Sequence, residues 1–264
     1  MEHSAVLTAF DRQMRQDATA EGPGVRVERT GGVVRQAGAA HDWNGVLWSD
    51  PALDGAAADA AIVAQIERFA PLGYEFEWKL YGHDRPADLA ERLLAAGFVP
   101  EDTETVLVAE VGKLSTRATL PAGVRLRPVT DAAGMELLSG VHEQAFGMTG
   151  TAYRERLLTQ LAEAPETVSA VVATAGDTPV SAARMELPPG KEFAGLWGGG
   201  TLEAWRGKGI YRALVAHRAE IAAARGYRYL QVDALETSRP ILERLGFTAL
   251  TTTTPYVYKP VQTP

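Results

Sequence analysis

Along the chain, apolar positions fall into short stretches whose period switches between two and about 3.6 residues. Gly24–Arg29 (GVRVER) and Gly123–Pro128 (GVRLRP) alternate as strands do. Gly73-Tyr74 opens GYEFEWKLY and Gly226-Tyr227 opens GYRYLQVDA, two further strand signals. Each is followed by a helix-like apolar stretch ending in Gly-Phe, ERLLAAGF to Phe98 and PILERLGF to Phe247. A β-prone tail comes next in both cases, Thr105–Val111 and Thr253–Tyr258. The same order of signals therefore occurs twice, which predicts a duplicated fold. Leu114–Pro121 (LSTRATLP) lacks periodicity and reads as a linker, giving domains over 1–115 and 122–264.

Spacing separates the two copies. Gly24 and Gly73 are 49 residues apart, Gly123 and Gly226 are 103 apart, so the second copy holds 54 more. The expectation is that its distinguishing chemistry lies between about Ala170 and Gly226. Within the second half, Val124–Val129 reads as a strand, and Asp131 as the N-cap of a helix through Phe146. Tyr153–Ala162 reads as another helix, and Val168–Thr174 and Val180–Leu187 as strands joined at Gly176-Asp177. Glu192–Leu202 is strand-like but interrupted by Gly198–Gly200. Ile210–Arg225 has helical spacing, Tyr227–Asp233 and Thr251–Tyr258 read as strands, and Arg239–Leu245 as a helix. The fold class is a mixed α/β domain (α+β, mixed sheet) without the strict alternation of a doubly wound sheet.

Composition narrows the function. The chain has 264 residues, 46% hydrophobic and 22% charged, which is globular stock. A net charge of −7 argues against a general binder of nucleic acid or anionic membrane. With no cysteine there is no disulfide scaffold, thiolate metal site or thiol nucleophile. No apolar run approaches the ~20 residues of a membrane span. MEHSAVLTAFDRQM lacks the basic and apolar regions of an export signal, so the expected location is cytoplasmic.

One stretch reverses the sign. Between Ala204 and Arg228 stand Arg206, Lys208, Arg212, Arg218, Arg225 and Arg228 against Glu220 alone, a local balance of +5. Within it, Trp205-Arg206-Gly207-Lys208-Gly209-Ile210-Tyr211 places glycines just before an amphipathic helix. Glycines permit close backbone approach, and a helix start presents free N–H groups and partial positive charge, which suits a phosphate. The spacing is neither the dinucleotide fingerprint, because 212 is Arg, nor a Walker A loop, because Leu202 stands where its first glycine belongs.

Arg206–Tyr211, the Ala213-Leu214 helix after it and Leu245-Gly246-Phe247 resemble the pyrophosphate loop and closing motif of GNAT N-acetyltransferases. The resemblance covers about Ala122–Pro260. The first half, with its Glu77-Trp78-Lys79 strand and Gly97-Phe98 but no phosphate loop, resembles a degenerate copy, so the resemblance implies a tandem GNAT arrangement. It implies acetyl-CoA as co-substrate, with Gly199, Gly200 and Thr201 at the pantetheine and acetyl group. It puts Arg206, Gly207, Lys208, Gly209, Ile210 and Tyr211 at the pyrophosphate, and Thr237 and Ser238 at further CoA contacts.

The chain departs from the family at three positions. Tyr211 replaces a small residue, so its side chain has to point away from the phosphates. Leu242 stands where many relatives have the tyrosine acid, and Gly195 where some carry a glutamate base. The substitutes nominated are Asp233 as base and Tyr256 or Tyr258 as the phenol near the leaving thiolate, each also readable as a surface carboxylate or core aromatic.

His142-Glu143 begins an HExxH pattern that fails at Phe146, and the His41-Asp42 and His83-Asp84 pairs lack further ligands, so no metal is expected. Trp43, Trp48, Trp78 and Tyr81 read first as core and second as the wall of a pocket at the domain junction. Two functions stand. One is an N-acyltransferase moving acetyl from CoA to an amine of a small molecule or protein, in a monomer or homodimer. The other is a non-catalytic acyl-CoA sensor.

Overall fold

The computed structural model describes residues 2–117, 119–147 and 151–260, so position 118 of the expected linker lies outside the described residues. The first half runs α1 (His3–Phe10), β1 (Arg26–Thr30), β2 (Val33–Ala37), β3 (Gly45–Ser49), α2 (Gly55–Phe69), β4 (Phe76–Tyr81), α3 (Leu89–Ala95), β5 (Val99–Pro100) and β6 (Glu104–Glu110). The second runs β7 (Val124–Pro128), α4 (Ala132–Phe146), α5 (Thr151–Glu163), β8 (Val168–Ala175), β9 (Thr178–Glu186) and β10 (Phe193–Thr201). It closes with α6 (Ile210–Ala224), β11 (Tyr229–Ala234), α7 (Arg239–Arg244) and β12 (Thr248–Tyr258). Asp131 caps α4 through its carboxylate, which accepts the Gly134 N–H at 2.8 Å.

All strands join one sheet in the order β1-β2-β3-β4-β12-β6-β11-β10-β9-β8-β7, with β5 on β12. The last strand of each half is hydrogen-bonded into the other: β6 runs antiparallel to β11, and β12 antiparallel to β4. The sheet is therefore continuous between the halves, and non-local pairing places first-half residues beside second-half ones.

The halves share a pairing pattern. β1–β2 and β8–β9 are antiparallel, β2–β3 and β9–β10 are antiparallel, and β3–β4 and β10–β11 are parallel. Each parallel pair is bridged by a 15-residue helix, α2 or α6, as a parallel crossover requires. This corrects the expected position of the extra residues. The segment from β8 to β11 has its counterpart in β1 to β4, and the added length lies upstream, in β7, α4 and α5. GVRVER and GVRLRP mislead the alignment because β1 and β7 are the two edge strands, with the largely exposed pattern edges share. What the first half lacks is a glycine loop: β3 and α2 are joined by Asp50–Asp54 (DPALD).

Period-two alternation divides the sheet into faces. Leu107 and Ala109 of β6 and Leu230, Val232 and Ala234 of β11 pack under Val215 and Ala219 of α6 and Leu242 of α7. On the opposite face Val106, Val108, Phe193 and Tyr229 meet Val6 and Phe10 of α1. Glu104, Asp233, Glu77 and Lys79 have the parity of this second face and stand at the middle of the sheet. The α1 segment is pinned there by Arg15, which is 1% exposed, pairs with Asp11 and Asp84 at 2.6 Å each, and lies 3.9 Å from the Tyr81 ring centre.

Candidate active site

β10 and β11 are in register only over Phe193–Gly195 and Tyr229–Gln231, then part. Beyond the fork, β10 stays paired with β9 through a bulge between Trp197 and Gly200, and β11 stays paired with β6. The β10 backbone from Leu196 onward is thus unpaired on its β11 side. Gly198 makes the bulge with φ of +57°, and its carbonyl accepts a hydrogen bond from His142 Nε2 at 2.7 Å. Burial lowers the pKa of His142, favouring the neutral ring, which must carry its proton on Nε2 to donate.

The chain then turns through Gly207 and Gly209, with φ of +73° and +83°, into the first turn of α6. Arg206 and Lys208 are exposed there; Arg206 Nε donates to the Thr201 carbonyl at 3.1 Å, and Lys208 Nζ sits 4.5 Å from the Trp205 ring centre. Tyr211 turns inward as required: a Cβ at Gly199 would come within 2.9 Å of its ring. A Cβ at Gly200 would come within 2.7 Å of Phe146, so both glycines admit neighbouring aromatic rings to the strand. Below this strand Arg218 is buried, its Nη1 donates to the Arg184 carbonyl, and its Nη2 has no partner among the described residues. Burial pushes its pKa down to about 10, so the guanidinium stays charged at neutral pH.

A cavity of about 320 Å³ opens on the α1 face at the fork. Its floor crosses both halves, with Gly195 and Trp197 of β10, Gln231 and Asp233 of β11, Glu104 of β6, and Glu77 and Lys79 of β4. Its roof is the α1 segment and α5. Lys79 Nζ bonds Asp233 Oδ2 at 2.5 Å; burial opposes its charge, but Asp233, Tyr81 and Glu77 hold its pKa well above the ordinary value. Glu77 accepts the Trp43 indole N–H at 2.7 Å, and burial raises its pKa. Glu104 is pushed up to about 7, first by burial and then by Asp233.

The residues nominated from the sequence divide among four places. Gly199–Thr201 and Arg206–Tyr211 form the bulge and loop. Asp233 lines the cavity, with one oxygen engaged by Lys79. Tyr256 and Tyr258 lie instead in the first-half core, where Tyr258 packs 5.6 Å from Phe76 and 5.2 Å from Phe98 between ring centres. Ser238 bonds the Leu235 carbonyl ahead of α7, and Thr237 is exposed beside it. The +5 cluster is also divided. Arg206, Lys208 and Arg212 stand at the loop, Arg218 is buried, Arg225 donates to the Glu166 carbonyl, and Arg228 pairs with Glu192. Trp43 and Tyr81 line the cavity, and Trp78 is core. Glu104 and Lys79 carry no local signal as site residues, since strand pairing alone brings them together, and His142 is marked in the sequence only by the incomplete HExxH pattern.

Residues 136–247 match the acetyltransferase (GNAT) family. A GCN5-related N-acetyltransferase from Kribbella flavida is 20% identical with a TM-score of 0.69, over 97% of this chain and 93% of its own. A functionally unknown conserved protein from Staphylococcus epidermidis is 14% identical at a TM-score of 0.68, over 93% and 97%. A tandem GNAT protein from the clavulanic acid biosynthesis pathway is 14% identical at 0.59, over 99% and 95%. No curated protein matches the sequence. Residues 136–247 are thus similar to the GNAT acetyltransferase family, within a mixed α/β fold that solved GNAT proteins share over almost the whole length of the chain.

Proposed function

We propose that the protein is an acetyl-CoA-dependent N-acyltransferase whose acceptor is a small-molecule amine bound in the cavity between the halves, the first half being a degenerate copy that builds the acceptor wall. The observation that carries this reading is continuity. Gly195, Trp197 and Gln231, where β10 and β11 part, line the same cavity as Glu104. The chain suits acetyl-CoA: β10 beyond Gly195 offers unpaired backbone, and the α6 N-terminus offers free N–H groups beside Arg206, Lys208 and Arg212. Acetyl-CoA supplies the activated acyl group.

The remaining roles fall to side chains on the page. Glu104, half-ionised near neutrality, accepts the proton an attacking ammonium must lose, since an amine of pKa ~10 is mostly protonated at pH 7. Asp233, held by Lys79, keeps the field around Glu104 negative and so draws cationic amines. Arg218, charged beneath the Gly199 bulge, favours negative charge developing on the acyl oxygen. His142 fixes the bulge through Gly198. A cavity of about 320 Å³ suits a compact ligand rather than a protein segment. A sensor that only binds the thioester has no use for a carboxyl poised near pH 7, which favours the enzyme.

Thermal-shift titration tests the cofactor half of this reading. CoA is expected to raise the melting temperature of the wild type. The rise should shrink in Arg206→Ala and vanish in Gly209→Glu, which sets a carboxylate at the helix start where φ is +83°. A wild type indifferent to CoA would overturn it.

A further inference from the structure

The transfer described above uses one end of the cavity, whereas the cavity has two charged poles. The first pole is Glu104, Asp233 and Glu77 around Lys79, on β6, β11 and β4. The second is Arg156 and Gln160 of α5 with Arg184 and Glu186 of β9. The electrostatic neighbours of Glu104 are Asp233, Lys79, Glu77 and Glu101, whereas those of Glu186 are Arg184, Glu21 and Arg156. Trp197 stands between the poles, its ring centre 5.5 Å from Lys79 Nζ and 6.0 Å from the Arg184 guanidinium.

The poles differ in composition, the first rich in carboxyls and the second in guanidinium groups. The first has three carboxyls against one ammonium. At the second, Glu186 is paired with Arg184 and accepts from Gln160 at 3.0 Å, so two guanidinium groups, Arg184 and Arg156, face the two carboxyls of Glu186 and Glu21. The Nε and Nη1 of Arg156 are buried and have no hydrogen-bond partner among the described residues. Unpartnered buried atoms recur across the cavity lining, at Gln160 Oε1, Gln231 Oε1 and Asp233 Oδ1. A buried donor or acceptor left unpaired costs about 1–3 kcal/mol, more when charged, so a ligand that pairs with these groups would be favoured in the cavity.

Resting on the transferase reading, we propose that the acceptor is an amino acid in the broad sense, an amine that also carries a carboxylate. Its nitrogen lies toward Glu104 and Asp233, and its carboxylate lies on Arg156, across Trp197. A singly charged carboxylate fits better than a phosphate, because Glu186 and Gln160 Oε1 stand close by and a second negative charge would meet them. Asp233 on β11 and Glu104 on β6 stand two and three strands from β9, roughly 10 and 14 Å at normal strand spacing. Side chains reaching in from both sides shorten those spans to a few carbon atoms. Phe10, Met14, Trp43 and Trp197 supply apolar wall for those carbons.

The test uses the full chain and matched pairs of amines with and without a carboxylate: leucine and 3-methylbutylamine, phenylalanine and 2-phenylethylamine, 4-aminobutyrate and propylamine, lysine and 1,5-diaminopentane. Amine-dependent thiol release from acetyl-CoA is followed for each. The best substrate is expected to carry a carboxylate and to exceed its partner by about tenfold in kcat/KM, as loss of a charge-assisted contact implies. In Arg156→Gln that ratio should fall toward one, and Arg156→Lys should retain more of it. In parallel, the best amino acid should raise the melting temperature of the wild type and not of Arg156→Gln. Equal use of both members of every pair, or a preference that survives Arg156→Gln, would overturn this inference and leave the transferase reading intact. No turnover with any amine, despite CoA binding, would overturn both.

Discussion

Glu104→Gln is expected to lower amine-dependent kcat/KM about 100-fold and to abolish the rise in rate through about pH 7. Only the carboxylate form accepts a proton, so the wild-type rate should climb as pH rises through that value. The amide cannot ionise, which leaves a flat acid limb at a low rate. Stability should move the other way. Burial raises the folded pKa above the unfolded value of about 4.3, so ionisation opposes folding, and wild-type stability is lost as pH rises from there through about 7. The variant should therefore melt higher than the wild type at pH 8 and match it at pH 4. A lower rate together with a higher melting temperature above pH 7 separates a functional carboxyl from a merely structural one.

Lys79→Met is expected to destabilise the protein by about 3 kcal/mol at pH 7. Asp233, with 2% of its side chain exposed, would lose the partner that holds Oδ2 at 2.5 Å, while Oδ1 already lacks one. A buried carboxylate without a counter-charge must either stay ionised at a cost or take up a proton. For a chain of this size the loss corresponds to a melting temperature lower by about 6–12 °C. The double variant Lys79→Met/Asp233→Asn should recover more than half of that, because removing both charges removes the uncompensated one. Additive losses in the double variant would show that the pair is not coupled. Since β4 and β11 come from different halves, this cycle also measures one charged contact that ties the two halves together.

Local chemistry was readable in the sequence, whereas features that arise from distant pairing were not. The cap at Asp131, the glycine turn at Gly207–Gly209 and the inward Tyr211 follow from residues within a few positions of each other. The helix α2 was missed because its alanines, some buried and some exposed, blur the contrast that marks a face, although Ala58, Ile62, Gln65 and Phe69 are buried at helical spacing. Glu104 opens a strand after the exposed stretch Glu101–Thr103 and reads as a surface residue. It becomes half-buried only because β6 enters the sheet between β11 and β12. The phenols at Tyr256 and Tyr258 stand outside the cavity lining for the same cause: β12 crosses to β4 and carries them into the first-half core. Alignment of GVRVER with GVRLRP rested on an edge-strand pattern that any two edges can share.

The central claim is that acetyl from CoA held at β10 and the α6 loop reaches an amine in the cavity between the halves. It is tested most directly by release of free CoA thiol from acetyl-CoA, measured against amine concentration at pH 8 with wild type and Glu104→Gln side by side. The account predicts saturable, amine-dependent release by the wild type and about 100-fold less kcat/KM in the variant. Release that ignores the amine, or a variant as fast as the wild type, would contradict it.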